Sequence, residues 1–193
     1  VLKLCFNLEA RAADFVLAFS QAPIKTPTFL EVPLGVRNSL NRGFVLKLLK
    51  NLYGLKDAGR TWWEHLSEGM RKRGFVPSAV DPSVWISHDC IALCFVDDIL
   101  FFSKTKEIGK EVIKSLSTDF AITDEGEIDK YLGIKIEEKG KGQYEMTQPH
   151  LIKRVIEAIP GMDTASTASI PAKPSVLLSK DKGVPPGKTV GIT

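Results

Sequence analysis

The sequence is poor in cysteine and lacks any cysteine pair with metal-binding spacing. Its 193 residues include three cysteines, Cys5, Cys90 and Cys94, and no CxxC pair occurs among them. Because Cys90 and Cys94 lie in an apolar stretch, the sequence predicts buried structural thiols rather than a disulfide. His88 lies close to Cys90, but no second pair of ligands follows, which argues against a zinc site. This cysteine usage is typical of a reducing compartment.

Long apolar runs and a strong charge imbalance are also missing. No stretch approaches the roughly 18 apolar residues of a membrane-spanning helix, and no signal peptide is visible, so we expect no membrane partner. The 26 basic residues stand against 23 acidic ones, a net charge of +3. This balance permits a nucleic-acid partner without arguing for one. Local basic clusters such as Arg71-Lys72-Arg73 are expected to be solvated helix surfaces.

Strand-like and helix-like segments occur in mixed order and predict an α+β domain. Apolar and β-prone stretches predict strands at 11–19, 29–32, 44–49, 84–87, 91–96, 99–102, 131–136 and 143–146. Apolar residues at helical spacing predict helices at 57–73, 105–119 and 149–159. The expected architecture is an antiparallel sheet with helices on one face, followed from residue 160 by an extended tail rich in proline, glycine and serine.

Two adjacent aspartates, Asp97 and Asp98, interrupt the most hydrophobic region of the chain. The predicted strands on either side place them at the tip of a hairpin, where an aspartate pair can be a simple turn. A carboxylate in apolar surroundings must however pair, bind a metal or take up a proton. Asp14 repeats the pattern in another apolar, β-prone segment. If the two regions pair, three carboxylates converge and form an oxygen-rich site suited to Mg²⁺.

Several motifs in order resemble the reverse transcriptases of Ty1/copia-type retrotransposons. They are ADFVLAF at 13–19, LYGLKDAGRTWW at 52–63, FVDD at 95–98, DEGEIDKYLGIKI at 124–136 and TQPHLIKRVIEA at 147–158. The aspartate box alone is a weak signal, but with LYGLK upstream it becomes a specific one. The resemblance covers almost the whole chain and implies an RNA-directed DNA polymerase, a nucleotidyltransferase that adds deoxynucleotides to a primer 3′-hydroxyl.

The same resemblance implies an α+β polymerase palm, an antiparallel sheet backed by helices, with partial fingers and a partial thumb. The palm is expected over 1–142, with residual fingers elements at about 24–60. A thumb-like strand and helix are expected at 143–170, and an extended tail or the start of a connection at 171–193. The chain is expected to be a fragment of a longer protein.

Site residues are also implied by the resemblance. Asp14, Asp97 and Asp98 correspond to the catalytic carboxylates that hold two Mg²⁺ ions, with Mn²⁺ as a substitute. One ion activates the primer hydroxyl and the other holds the triphosphate. We expect Asp14 and Asp97 to bridge the ions and Asp98 to be a weaker ligand. The implied nucleotide-binding residues are Phe15, Phe19, Tyr53, Gly54, Lys56 and Arg60.

Two of these assignments have plain structural alternatives. Phe19 corresponds to an aromatic gate that excludes a 2′-hydroxyl, but it would equally serve as a core residue. Lys56 would meet phosphate, or it is an exposed loop lysine. The implied partners are an RNA template, a DNA primer, deoxynucleoside triphosphates and other retroelement polyprotein segments such as integrase and RNase H. The implied location is cytoplasmic, in a virus-like particle.

The chain departs from the family pattern in a few places. Asp57 and Gly59 stand where the family has glutamine and proline, and Phe95 replaces the common tyrosine of the aspartate box. Asp57 suits a helix N-cap instead. The basic fingers segment that precedes the first motif is missing. An alternative is therefore a truncated or degenerate fragment without catalysis, at most a weak nucleic-acid binder. A palm-like nucleotide cyclase is disfavoured by the LYGLK segment.

Overall fold

The computed structural model describes residues 2–38, 43–140 and 142–161. Its strands are β1 (Glu9–Phe15), β2 (Phe29–Glu31), β3 (Val45–Lys47), β4 (Val76–Pro77), β5 (Val84–Ile86), β6 (Cys90–Phe95), β7 (Asp98–Ser103), β8 (Ile122–Glu127), β9 (Lys130–Tyr131), β10 (Ile134–Gly140) and β11 (Gln143–Thr147). Its α-helices are α1 (Leu2–Phe6), α2 (Ala18–Gln21), α3 (Ala58–Lys72), α4 (Lys106–Leu116) and α5 (Pro149–Ala158), and a 3₁₀ turn covers Leu34–Val36. The predicted tail falls almost entirely outside these residues.

The strands form three antiparallel sheets. The largest has six strands in the order β4-β5-β6-β7-β1-β8, a three-stranded sheet has the order β11-β10-β9, and β2 pairs with β3. The prediction of a mixed α and β chain built on an antiparallel sheet is therefore confirmed. The predicted hairpin is present, since β6 pairs with β7 from Cys90 opposite Ser103 to Phe95 opposite Asp98.

Helices α3 and α4 bury one face of the six-stranded sheet. Their inward side chains pack against alternate residues of the central strands, as expected for side chains that point to opposite faces in turn. The shared core contains Phe15, Trp62, Leu66, Met70, Ile99, Phe101, Leu116 and Phe120. Cys90 and Cys94 are buried in the same core, as predicted, and burial raises the pKa of Cys90 to about 12.

Local signals mark the ends of the helices. Gly74 follows α3 with φ 77°, a backbone conformation that favours glycine at a helix end. The side chain of Thr105 caps α4 by accepting from the Ile108 backbone N–H. Asp57 does stand at the N-cap position of α3, but its side chain makes no capping hydrogen bond. The predicted N-cap position of Asp57 is therefore confirmed, without the side-chain hydrogen bond that usually accompanies it.

The segment 11–19 is not one strand, in contrast to the prediction. β1 ends at Phe15, Leu17 has φ 51°, and α2 then carries Phe19.

The basic cluster at Arg71-Lys72-Arg73 also differs from expectation. Arg73 is not a solvated side chain, because its guanidinium donates to the Gly69 carbonyl oxygen at 2.8 Å and pairs with Asp119 at 3.0 Å.

Strand β8 was not predicted, and it covers the free edge of β1. A β-bulge interrupts this pairing: Ala12 lies opposite Gly126, whereas Ala13 lies opposite Asp124. Glu125 is thus the extra residue of the bulge. Such bulges redirect a side chain and often occur beside active sites.

No helix among the described residues combines the length and the apolar character that crossing a bilayer requires.

Candidate active site

Two neighbouring elements hold the tip of the β6–β7 hairpin. Val96 and Asp97 form the loop between the strands. The Phe15 backbone N–H donates to the Asp97 carbonyl oxygen at 2.7 Å, and the Trp62 Nε1–H donates to the Val96 carbonyl oxygen at 3.0 Å. Val96 has φ 54°, which a β-branched residue adopts only when its surroundings hold it there. The core thereby fixes the shape of the acidic tip.

Asp14 and Asp98 are direct cross-strand partners in the β1–β7 ladder. The Cβ atoms of such partners lie about 4.5–5.5 Å apart, and strand alternation places both side chains on the face opposite to α3 and α4. Burial raises the pKa of Asp14, and the charges of Asp97 and Glu125 raise it further. Burial likewise raises the pKa of Asp98, followed by the charges of Asp14 and Glu125. The pair concentrates negative charge that the neighbouring cations neutralise only in part.

An open cleft of about 550 Å³ lies in front of this pair. Asp14, Asp98 and Glu125 line one wall. The other wall belongs to β9, β10 and the start of α5, and includes Lys130, Tyr131, Gly133, Lys135 and His150. Lys130 Nζ lies 3.9 Å from Glu125 Oε1, so a lysine and a bulge carboxylate meet across the cleft.

Tyr53 approaches the hairpin tip from the segment that precedes α3. It sits in a turn closed by the Leu55 N–H and the Leu52 carbonyl oxygen at 3.2 Å, and Gly54 in that turn has φ 94°, which favours glycine. The Tyr53 hydroxyl lies 2.6 and 2.7 Å from the two carboxylate oxygens of Asp97. Its ring packs on Phe19 with centroids 4.4 Å apart. Burial, and then the hydrogen bond to Asp97, raise the pKa of Tyr53 to about 12.

The three predicted carboxylates therefore have two different environments. Asp14 and Asp98 line the cleft, whereas the Asp97 carboxylate accepts the Tyr53 hydroxyl. In the part of the chain that the structure describes, no three His, Cys, Asp or Glu side chains are arranged as a ligand set for a metal ion. The donors nevertheless suit a hard divalent cation, because carboxylate oxygens are its usual ligands. A cation would also offset the repulsion that raises the pKa of Asp14 and Asp98.

Comparison with known protein families identifies the chain's relatives. A family model described as reverse transcriptase (RNA-dependent DNA polymerase) matches residues 7–174. The chain belongs to this reverse transcriptase family. The prediction from its motifs is confirmed, since the similar curated proteins are Pol polyproteins and related proteins of Ty1/copia-type transposons.

Three relatives illustrate how this reverse transcriptase chain compares in extent. The retrovirus-related Pol polyprotein from transposon TNT 1-94 of Nicotiana tabacum is 30% identical over 185 residues, which cover 93% of the chain and 14% of the relative. The retrovirus-related Pol polyprotein from transposon RE1 of Arabidopsis thaliana is 29% identical over 177 residues, which cover 90% of the chain and 12% of the relative. A putative transposon Ty5-1 protein of Saccharomyces cerevisiae is 27% identical over 156 residues, which cover 75% of the chain and 49% of the relative. The chain thus spans half or much less of the length of these relatives. No solved structure matches it significantly.

Three further predicted site residues of this reverse transcriptase chain, Phe15, Lys56 and Arg60, do not line the first cleft. Lys56 and Arg60 line a second cleft, of about 420 Å³, that shares no lining residue with the first. Arg60 Nε lies 3.1 Å from Glu64 Oε1. The Phe15 side chain is fully buried against Trp62, so only its backbone reaches the hairpin tip.

Sequence reasoning missed several residues that shape the site. Glu125, Lys130 and Tyr131 lie inside the motif at 124–136, which signalled the family but received no site role. Asn51 carried no signal. Its buried amide nitrogen lies 2.8 Å from Thr61 Oγ1 and contacts backbone oxygens beside α2, and it precedes the Tyr53 turn directly.

Proposed function

We propose that this chain is the catalytic palm region of an RNA-directed DNA polymerase. It would transfer deoxynucleotides to the 3′-hydroxyl of a DNA primer on an RNA template. The observation that carries the proposal is the cross-strand pairing of Asp14 with Asp98, beside Asp97, at the mouth of a cleft in a chain of the reverse transcriptase family.

Asp14, Asp97 and Asp98 would hold two Mg²⁺ ions, which Mn²⁺ would replace. When bound, such ions supply charge neutralisation for the triphosphate and lower the pKa of the primer hydroxyl. The chain's own contribution is positional. The buried strands β1 and β7 hold Asp14 and Asp98 opposite each other, and the hydrogen bonds from Phe15 and Trp62 hold the loop that carries Asp97.

The incoming nucleotide would lie against the Phe19–Tyr53 ring pair. Phe19 is only partly buried and its ring contacts Tyr53, so it is available to a sugar as a flat apolar surface. In that position it would exclude a 2′-hydroxyl by contact, which favours deoxynucleotides. Lys56 and Arg60, which line the second cleft, would meet nucleic-acid or nucleotide phosphates.

The wider assignments follow from the same proposal. Residues 1–142 would form the palm with residual fingers elements at about 24–60, and the β11–α5 region would be thumb-like. The other parts of a retroelement polyprotein would be its partners, and it would work in a cytoplasmic particle. The names of the polyprotein relatives support the proposed partners, the other parts of a retroelement polyprotein.

Primer extension on an RNA template with Mg²⁺ tests the proposal. The wild-type chain is compared with Asp97→Asn and with Asp89→Asn as a matched control. Asp89 lies at the far end of the same hairpin and pairs with Lys104 at 2.7 Å. We expect Asp89→Asn to extend like the wild type and Asp97→Asn to lose more than about 100-fold, because even outer-shell partners of a metal site contribute 10- to 100-fold.

Two results would contradict the proposal. Extension that survives Asp97→Asn would remove the aspartate from the chemistry. Binding of an RNA–DNA duplex with no extension by any variant would favour the alternative, a degenerate fragment that only binds nucleic acid.

A further inference from the structure

The Tyr53 hydroxyl contacts both carboxylate oxygens of the half-buried Asp97. The phenol oxygen lies within 2.6 and 2.7 Å of both carboxylate oxygens, although Tyr53 is 48% exposed and 44 residues away in sequence. Oxygen–oxygen distances of this length are typical of hydrogen bonds to an ionised acceptor. The Tyr53 hydroxyl therefore lies directly in front of the Asp97 carboxylate, at nearly equal distances from its two oxygens.

The same carboxylate oxygens are the atoms that a hard cation would use. Mg²⁺ binds carboxylate oxygens at about 2.1 Å and tolerates little distortion of its octahedral ligand shell. A phenol that spans both oxygens blocks the approach of an ion along their bisector. The proton donor and the cation thus compete for one group.

We propose that the Tyr53 hydroxyl is the competitor that a cation must displace from Asp97, so that Tyr53 couples cation binding to the position of the aromatic pair. The inference rests on the proposed function, because it takes Asp97 as a cation ligand. It adds a positioning role for Tyr53 that acts through Asp97.

The coupling follows from the two contacts of a single side chain. The hydroxyl end of Tyr53 contacts Asp97, and its ring packs on Phe19 at 4.4 Å. The turn at 52–55 gives the ring a fixed base, with Gly54 at φ 94°. Because hydrogen bonds from Phe15 and Trp62 hold the loop that carries Asp97, we expect the hydroxyl to leave Asp97 by rotation or shift of its ring against Phe19. The surface proposed to meet the nucleotide would therefore change when the cation enters.

Fluorine NMR on the intact chain observes this movement directly. The sequence has three tyrosines, so 3-fluorotyrosine labelling gives three resonances, which the variants Tyr53→Phe, Tyr131→Phe and Tyr144→Phe assign. We expect Mg²⁺ to shift the Tyr53 resonance saturably in the wild type. The Tyr144 resonance is expected to stay in place, since that hydroxyl contacts Glu138 at 3.1 Å in another sheet. In Asp97→Asn the Tyr53 shift should disappear.

Mn²⁺ affinity, measured by electron paramagnetic resonance, supplies the second readout. Tyr53→Phe keeps the ring and removes only the hydroxyl, so it should bind Mn²⁺ roughly three- to tenfold more tightly, given the usual net strength of an intramolecular hydrogen bond. Tyr144→Phe, which also removes a hydroxyl from a carboxylate, should bind like the wild type. Asp97→Asn should bind weakly.

The outcomes separate the inference from the proposed function. If Asp97→Asn weakens Mn²⁺ binding but Tyr53→Phe matches the wild type and the Tyr53 resonance does not move, the competition is refuted and the cation site stands. If Asp97→Asn binds Mn²⁺ like the wild type, or if neither the wild type nor Tyr53→Phe binds it, the cation site itself is refuted and the inference with it.

Discussion

The six-stranded sheet and the region that follows it are stabilised in different ways. The sheet packs against α3 and α4 around a continuous core, and its central residues Phe15 and Phe101 are fully buried. From residue 128 to residue 161, by contrast, no described residue is buried. Helix α5 even exposes its apolar stripe, which comprises Leu151, Ile152, Val155 and Ile156.

This difference bears directly on the candidate site. Asp14 and Asp98 belong to the packed sheet, whereas Lys130, Tyr131 and His150 on the facing wall belong to the lightly packed region. Segments with few buried apolar contacts open at low free energy. The cleft therefore has one wall held by a core and one wall whose residues have few buried contacts.

The largest predicted effect comes from a matched pair of leucine substitutions, one in each region. Leu66 on α3 is 1% exposed and Leu151 on α5 is 49% exposed. Leu66→Ala should lower the free energy of unfolding by about 3 kcal/mol, because it leaves a cavity in the core. Leu151→Ala should change it by less than about 0.5 kcal/mol. Urea denaturation measures both, and similar losses would mean that α5 is as well packed as α3.

A pair of glycine substitutions within α3 tests how tightly the core is packed beneath the acidic tip. A Cβ added at Gly69 would lie 2.3 Å from a Phe120 ring atom, whereas one at Gly59 would meet nothing closer than 4.0 Å. Phe120 is itself confined by Phe15 and Trp62. Gly69→Ala should therefore destabilise the chain by about 1–3 kcal/mol.

Gly59→Ala serves as the control and should stabilise it by up to about 1 kcal/mol, because alanine has the higher helix propensity. Thermal unfolding gives the sign of each change. If Gly69→Ala were neutral, the core under the site would be looser than the ring contacts of Phe120 indicate.

The smallest predicted effect is electrostatic and depends on pH. The pKa of Asp98 is raised in the folded chain by burial and then by the charges of Asp14 and Glu125. The stability that such a group contributes is fully present below its unfolded pKa of 3.8 and is lost as the pH rises through the raised value. Asp98→Asn should therefore be more stable than the wild type at pH 7, by roughly 0.5 kcal/mol for a like-charge cross-strand pair. The difference should close below about pH 4.

Asp89 provides the opposite case on the same hairpin. Its pKa is lowered by the hydrogen bond from Lys104 and then by His88. The stability that the ionised Asp89 contributes is therefore present above its unfolded pKa of 3.8 and is lost as the pH falls through its lowered pKa in the folded chain. Asp89→Asn should be slightly less stable than the wild type at pH 7. Denaturation of both variants as a function of pH would contradict this account if the two differences had the same sign.

Local patterns in the sequence were sufficient to predict α3, α4, α5 and the hairpin. The apolar stripe of α3 and the aspartates at the tip between β6 and β7 both follow from residues that lie close together along the chain. Strand β8 could not be found in this way. Its sequence ITDEGE has one apolar residue, and it is a strand because β1 presents an edge that needs hydrogen-bond partners.

The candidate site was likewise predictable where local sequence determines it and unpredictable where it depends on tertiary contacts. The acidic motif identified Asp97 and Asp98 as candidate ligands, and the pairing of Asp14 with Asp98 follows once β1 and β7 are known to be neighbours. The contact of Tyr53 with Asp97 and the bulge at Glu125 depend on tertiary structure, and no local pattern encodes either. Phe19 lies on α2 rather than on a strand because the chain turns at Leu17, which has φ 51°.

The central claim is that Asp14, Asp97 and Asp98 form one cation site on the packed sheet. The most direct test is a crystal structure of the chain with Mn²⁺, in which anomalous scattering locates the ion. The account predicts an ion in direct contact with carboxylate oxygens of Asp14 and Asp97, with the Tyr53 hydroxyl displaced from Asp97. An ion bound elsewhere, or Asp14 and Asp97 carboxylates more than about 8 Å apart at saturating Mn²⁺, would contradict it, because one ion coordinates oxygens at only about 2.1 Å.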